Sequence, residues 1–244
     1  MAGRVFLTAE WRDLAMLNFA VDPGRLREFV PAGTELDFWN GEALVSMVGF
    51  RFLRTRIIGV AIPWHVNFEE VNLRFYVRHR AGGEWRRGVV FVKEIVPRWA
   101  IATAARVFYN ENYVALPMRH EVERSGGISA KYVWRFRREE HELFAKADGE
   151  PREIPAGSGG EFITEHYWGY TKQRGGGTLE YEVAHPRWRV WKAAESSFRC
   201  DAASLYGDAF AEALGSKPAS AFIAEGSAVT VFRGRELASE KATR

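Results

Sequence analysis

The segment Phe68-Glu69-Glu70-Val71-Asn72-Leu73-Arg74 sets a carboxylate, an amide and a guanidinium two residues apart. In an extended chain every second side chain points the same way, so these three would form a row with about 7 Å between neighbours. Such a row suits a small polar ligand. The guanidinium and amide donate to carbonyl or carboxylate oxygens, and the carboxylate can serve as a general base. Glu70 is therefore the candidate catalytic residue. The same spacing also describes the wet face of a half-buried strand, and what covers that face decides between the two.

Arg106 is the second charged group that invites a role. It stands in the Ala-rich stretch Arg98 to Tyr109, which predicts a helix after Pro97 with Ile101, Ala104, Ala105 and Phe108 as its apolar stripe. A desolvated guanidinium needs a counter-ion, and Glu70 is the natural partner. Polar aromatics gather at Glu165-His166-Tyr167-Trp168-Gly169-Tyr170 and at His185-Pro186-Arg187-Trp188. They could stack on a ligand or simply fill a core with their polar tips satisfied. Other chemistry finds no support. The chain has no Gly-x-Ser-x-Gly elbow, no Walker loop and no His-Glu-x-x-His, and its 6 histidines lack ligand spacing. Its one cysteine, Cys200, rules out an intrachain disulfide and a cysteine-based zinc site. No metal and no cofactor is expected.

Strands must position these residues. Val66 to Arg78 alternates, with Val71, Leu73, Phe75 and Val77 on one face and Glu70, Asn72, Arg74 and Tyr76 on the other. Gly82-Gly83 predicts a hairpin into a strand over Val89 to Val96, and Asn40-Gly41 a turn before Leu44 to Phe50. Further strands are expected at Lys131 to Arg137, Gly177 to Ala184, Trp188 to Ala194 and Ala228 to Arg233. Short helices are expected at Glu161 to Tyr170 and at Ala202 to Leu214. The Gly- and Pro-rich run Asp148 to Gly160 reads as an internal connection, so residues 1–244 are taken as a single domain with a frayed tail over 237–244. The fold class is mainly β (α+β): a closed or cone-like antiparallel β-barrel with a few packed helices.

Composition narrows the partners. With 244 residues, 47% hydrophobic and 27% charged, the chain can bury a core, so it is not a disordered chain. The 34 Lys+Arg and 31 Asp+Glu leave a net charge of only +3, and the two signs interleave. Arg78-His79-Arg80 and Arg86-Arg87 flank the Gly82-Gly83 turn as a solvated tip would, so nucleic acid is not an expected partner. No apolar run reaches the roughly 20 residues of a membrane helix, and the N-terminus lacks the h-region of a signal peptide. A cytoplasmic protein with no membrane partner is expected; a homo-oligomer is left open.

The segments Glu10-Trp11-Arg12-Asp13-Leu14, Val21-Asp22-Pro23-Gly24-Arg25-Leu26 and Val30-Pro31-Ala32-Gly33-Thr34-Glu35-Leu36 occur in this order near the N-terminus. Together they resemble the start of the YqjF-like family of bacterial proteins. Phe68-x-Glu70-x-Asn72-x-Arg74 matches the family's Phe-x-Glu-x-Asn-x-Arg signature. Ala104-Ala105-Arg106, Thr164-Glu165-His166-Tyr167 with Tyr170, and His185-Pro186-Arg187-Trp188 follow in order, so the resemblance spans roughly Leu7 to Ala194. The family is similar in turn to the acetoacetate decarboxylase superfold, a cone-like closed β-barrel with an internal cavity. That resemblance implies a cavity glutamate at Glu70, then Ala100-Ile101-Ala102 and Arg106. It also implies a lysine pair, which this chain lacks, since Val107 to Val114 contains no lysine. A Schiff-base decarboxylase such as acetoacetate decarboxylase needs an amine of lowered pKa. Lys93 is the nearest amine, on the face predicted to carry Val89, Phe91 and Ile95, and snorkelling at the sheet edge is its simpler role.

Two expectations follow. In one, Glu70, Asn72, Arg74 and Arg106 form the polar interior of a barrel walled by Tyr109, Tyr113, Tyr170, His185 and Trp188. It binds a small carboxylate- or carbonyl-containing molecule, as a lyase or hydrolase or without catalysis. In the other, Glu70 and Arg106 form a buried ion pair in a structural or interaction protein. An open pocket of about 300 Å³ or more favours the first; a filled interior favours the second.

Overall fold

The computed structural model describes residues 3–99 and 110–237. Most of the helix expected over Arg98 to Tyr109, with Arg106 and Tyr109, lies outside the described residues, as does the tail beyond Leu237. The strands are β1 (Val5–Val21), β2 (Glu35–Leu36), β3 (Ala43–Ile57), β4 (Phe68–Ala81), β5 (Glu84–Val96), β6 (Tyr113–Ala115), β7 (Met118–Glu123) and β8 (Gly127–Phe136). They continue with β9 (Glu139–Asp148), β10 (Arg152–Glu153), β11 (Trp168–Lys172), β12 (Thr178–Ala184), β13 (Arg189–Lys192), β14 (Glu195–Arg199), β15 (Ser220–Phe232) and β16 (Arg235–Glu236).

The larger sheet runs β15-β1-β3-β4-β5-β11-β12 and returns on itself, because Val183 and Ala184 of β12 pair with Val231 and Thr230 of β15. The result is a closed, cone-like ring. It is antiparallel apart from β5, which pairs in parallel with both β11 and β6. That departs from the all-antiparallel expectation, because β6 and β11 both run in the same direction as β5 instead of turning back along it. The two-residue turns form where expected: Gly82 and Gly83 have φ of 59° and 89°, Asn40 and Gly41 of 49° and 84°. Positive φ at both central residues gives a turn whose twist matches the flanking strands.

Two irregularities decide which side chains face inwards. In β1 the register shifts between Arg12 and Ala15, with Asp13 at φ 58°. Trp11 and Leu14 thus both face the interior, while Asp13 turns outwards beneath Arg51 and Arg124. In the β4–β5 pair the register shifts after Leu73, which faces Lys93, while Arg74 faces Phe91. An extra residue in one strand reverses the alternation beyond it.

A second sheet, β14-β9-β8-β7, covers one side of the ring. The layers come close at Gly49, where a Cβ would lie 2.6 Å from the Tyr132 ring, and the Tyr132 hydroxyl donates to Asp13 O at 2.8 Å. Val71, Leu73, Phe75, Val90 and Ile95 fill the space between the layers; Phe50, Phe52, Phe68 and Tyr76 belong to the interior cluster. The expected helix over Ala202 to Leu214 is two, Ala202–Tyr206 and Asp208–Leu214, broken at Gly207 with φ 95°. The expected helix from Glu161 to Tyr170 is only Gly159–Thr164, capped by the Ser158 side chain, after which the chain extends into β11. Among the described residues no helix is long and apolar enough to cross a membrane.

Candidate functional site

The interior of the ring holds a cavity of about 130 Å³. That is below the roughly 300 Å³ set for a drug-sized pocket. It is close to the roughly 150 Å³ that admits a molecule the size of benzene. The long aromatic side chains of the inner face explain the reduction. Trp11 meets Phe50 edge-on at 5.3 Å, and Phe52 stacks on Phe68 at 4.6 Å.

Glu70, Asn72 and Arg74 line this cavity, and Glu70 and Asn72 are each only 2% exposed. Both oxygens of Glu70 are engaged: Asn72 Nδ2 donates to Oε1 at 2.9 Å and the Tyr113 hydroxyl to Oε2 at 3.0 Å. Two further carboxyl groups stand nearby. Glu94 reaches the cavity from β5 because of the bulge, and Glu111 from the loop before β6. Glu111 accepts from the Tyr181 hydroxyl and, at 3.4 Å, from Thr171 Oγ1.

Burial of three carboxyls in one wall raises their affinity for protons. For Glu70, desolvation pushes the pKa up to about 7 against the pull of the Asn72 and Tyr113 hydrogen bonds, with the charge of Glu111 adding to the rise. Glu111 is likewise raised by burial to about 7, although Tyr181, Glu94 and Thr171 hydrogen-bond to it. Glu94 lies well above its ordinary value, from burial first and then from the charges of Glu111 and Glu70. Burial thus favours the protonated form of all three carboxyls.

Arg74 differs in kind. Its Nη2 donates to Ile163 O at 3.1 Å, and its Nε is buried without a hydrogen-bond partner. Among the described residues no carboxylate lies in ion-pair contact with it. Beside it, His166 lines the cavity from the chain between helix Gly159–Thr164 and β11. Its Nε2 meets Asp37 Oδ2 at 3.3 Å, and Asp37 also accepts from Arg87 Nε at 2.6 Å.

His185, Trp188 and Tyr113 also line the cavity. His185 stacks on Trp188 at 4.1 Å, and Trp188 Nε1 donates to Ser227 Oγ at 2.8 Å. Tyr170 does not join them: Gly169 faces the cavity, so the next side chain of β11 points outwards, against Gly88 and into the cluster between the layers. Lys93 also departs from expectation. The bulge puts it on the face opposite Phe91, half-buried, with Nζ donating to Leu205 O and near the Tyr206 ring. Sequence reasoning did not single out Glu94, Glu111, Asp37 or Trp11. Only the bulges bring Glu94 and Leu14 inside, and a bulge has no period-two signature.

A closed, cone-like β ring around an internal cavity is the acetoacetate decarboxylase-like fold, and known structures agree. Acetoacetate decarboxylase from Legionella pneumophila superposes with a TM-score of 0.66 at 13% identity, over 96% of this chain and 88% of that one. The enduracididine biosynthesis enzyme MppR complexed with pyruvate gives 0.69 at 14%, covering 98% and 92%. An acetoacetate decarboxylase-like enzyme from Sphingomonas wittichii RW1 gives 0.68 at 12%, covering 97% and 94%. These likenesses concern the fold.

The chain belongs to the DUF2071 family of uncharacterized conserved proteins, whose model matches residues 8–228. It is 30% identical to the uncharacterized protein YqjF of Bacillus subtilis over 189 residues, 75% of this chain and 74% of that protein.

Proposed function

We propose that the ring cavity binds a small organic molecule carrying a carboxylate or carbonyl group, with Arg74 as its anchor. One observation carries this: a cavity-lining guanidinium with a buried, unpartnered Nε and no carboxylate in contact among the described residues. A buried guanidinium N–H needs an oxygen acceptor, and a planar carboxylate or a carbonyl satisfies it. Asn72 lines the same cavity and has an unpartnered Oδ1, so it accepts one further hydrogen bond. Glu70, held between Asn72 and Tyr113, is the residue that would take up or return a proton beside the bound molecule. The complex of MppR with pyruvate is a precedent within the fold for a ligand of this size.

Imine chemistry has no place in this proposal. The chain has no lysine between Lys93 and Lys131, and Lys93 faces away from the cavity. A thermal-shift screen of short carboxylates and ketones tests the proposal. Stabilisation by RT ln(1 + [L]/Kd) gives about 2.7 kcal/mol at a hundredfold excess over Kd. A set of small carboxylates and ketones that leaves the melting temperature unmoved at millimolar concentration contradicts it.

A further inference from the structure

His166, which lines the cavity, carries a further unpartnered polar atom. The imidazole is held from three sides. Asp37 accepts at Nε2, the Tyr76 ring lies 4.7 Å away, and the Phe162 ring meets it edge-on at 5.1 Å. The Arg87 guanidinium keeps Asp37 a carboxylate, so Asp37 accepts and His166 Nε2 carries the hydrogen. Nδ1 is then a bare acceptor, and it is buried with no partner. Burial also lowers the affinity of the ring for a second proton.

Arg74 stands over the same Tyr76 ring, its Cζ 5.7 Å from the centroid. Arg74 and His166 thus both line the cavity and both lie against the Tyr76 ring, the one with an unpartnered donor and the other with an unpartnered acceptor. A plain carboxylate or ketone has only acceptors and leaves Nδ1 unsatisfied. A molecule with a hydroxyl next to its carboxylate satisfies both.

We infer that the ligand is a short hydroxy-carboxylate whose oxygens face Arg74 and whose hydroxyl donates to His166 Nδ1, oriented through Nε2 by Asp37. This rests on the proposal that Arg74 anchors a carboxylate, and names the ligand class for that site. Sites built to hydrogen-bond a hydroxyl reject analogues lacking it, because a buried polar atom is left unpaired.

The test compares 2-hydroxypropanoate with propanoate by calorimetric titration of the whole chain. The hydroxy acid should bind at least tenfold more tightly. His166→Gln keeps a donor for Asp37 but has no ring acceptor at the Nδ1 position, so it should bring the two affinities within about twofold. A second measurement needs no variant: the ¹⁵N resonance of His166 Nδ1 should move on addition of 2-hydroxypropanoate and stay in place with propanoate. Equal affinities in the parent protein, or a preference that survives His166→Gln, overturn the hydroxyl assignment while Arg74 keeps its role. Failure of both acids to bind overturns the Arg74 anchor itself.

Discussion

Asn72 donates its amide N–H at 2.9 Å to Oε1 of Glu70, two residues earlier on the same inward face of β4. In the row that the alternation of Val66 to Arg78 marks out, Glu70 and Asn72 are therefore joined, while Arg74 donates elsewhere, to Ile163 O. The acid is closed on one oxygen by its own strand and on the other by Tyr113.

The first prediction concerns that contact. Asn72→Ala removes the hydrogen bond that most strongly opposes the upward push of burial on Glu70. The Glu70 carboxyl should then titrate higher than in the parent, followed by ¹³C NMR of its side chain. A pKa that stays put or falls would mean that Asn72 contributes little to holding the charge.

A second prediction is a pH dependence of stability. Glu70 in the folded chain titrates near 7, above its ordinary 4.5. The folded state therefore keeps a proton that the unfolded state has released. The stability this gives is complete below the unfolded pKa and is lost as pH rises through the folded one. Glu70→Gln cannot ionise. Relative to the parent it should gain on the order of 1–3 kcal/mol between about pH 4.5 and about pH 8. Denaturant titrations at several pH values check this, and a constant difference between the two proteins across the range contradicts it.

How much of this was legible beforehand depends on periodicity. The β4 row, the Gly82-Gly83 hairpin and the mainly β architecture follow from alternation and turn residues, which are local signals. Glu94 and Lys93 show where that logic stops. One residue of bulge exchanges their faces, so the acid lines the cavity and the amine packs under Leu205 and Tyr206. Tyr170 fails for a similar reason, since its place depends on which face of β11 the ring turns inwards. Much of β1 carries no clean alternation, because its bulge at Asp13 breaks the period midway.

The layer contact supplies a third prediction. A methyl at position 49 would press on Tyr132 at 2.6 Å and on Leu143 at 2.9 Å. Overpacking of this kind costs about 1–3 kcal/mol. Gly49→Ala should therefore lower the melting temperature by roughly 2–12 °C for a chain of this length. An unchanged melting temperature would mean that the outer sheet does not press on the ring there.

A fourth prediction separates Asp37 from ordinary surface acids. Its carboxylate is 5% exposed, held by Arg87 and His166, and its pKa is lowered by those hydrogen bonds against the opposing cost of burial. Stability from a depressed carboxyl is present above the unfolded pKa and lost as pH falls through the folded one. Asp37→Asn should destabilise the protein by about 1–3 kcal/mol near neutral pH. That loss should shrink in acid; chemical denaturation at neutral and acidic pH distinguishes it from a uniform packing defect.

The central claim is that Arg74 waits in the ring for a ligand oxygen. Calorimetric titration of the parent protein and Arg74→Met with a short carboxylate such as pyruvate tests it most directly. A charge-assisted hydrogen bond of about 1.5–3 kcal/mol corresponds to at least a tenfold loss of affinity. The account predicts that loss in a variant that stays folded. Equal affinity in the two proteins, or no binding by the parent, would contradict it.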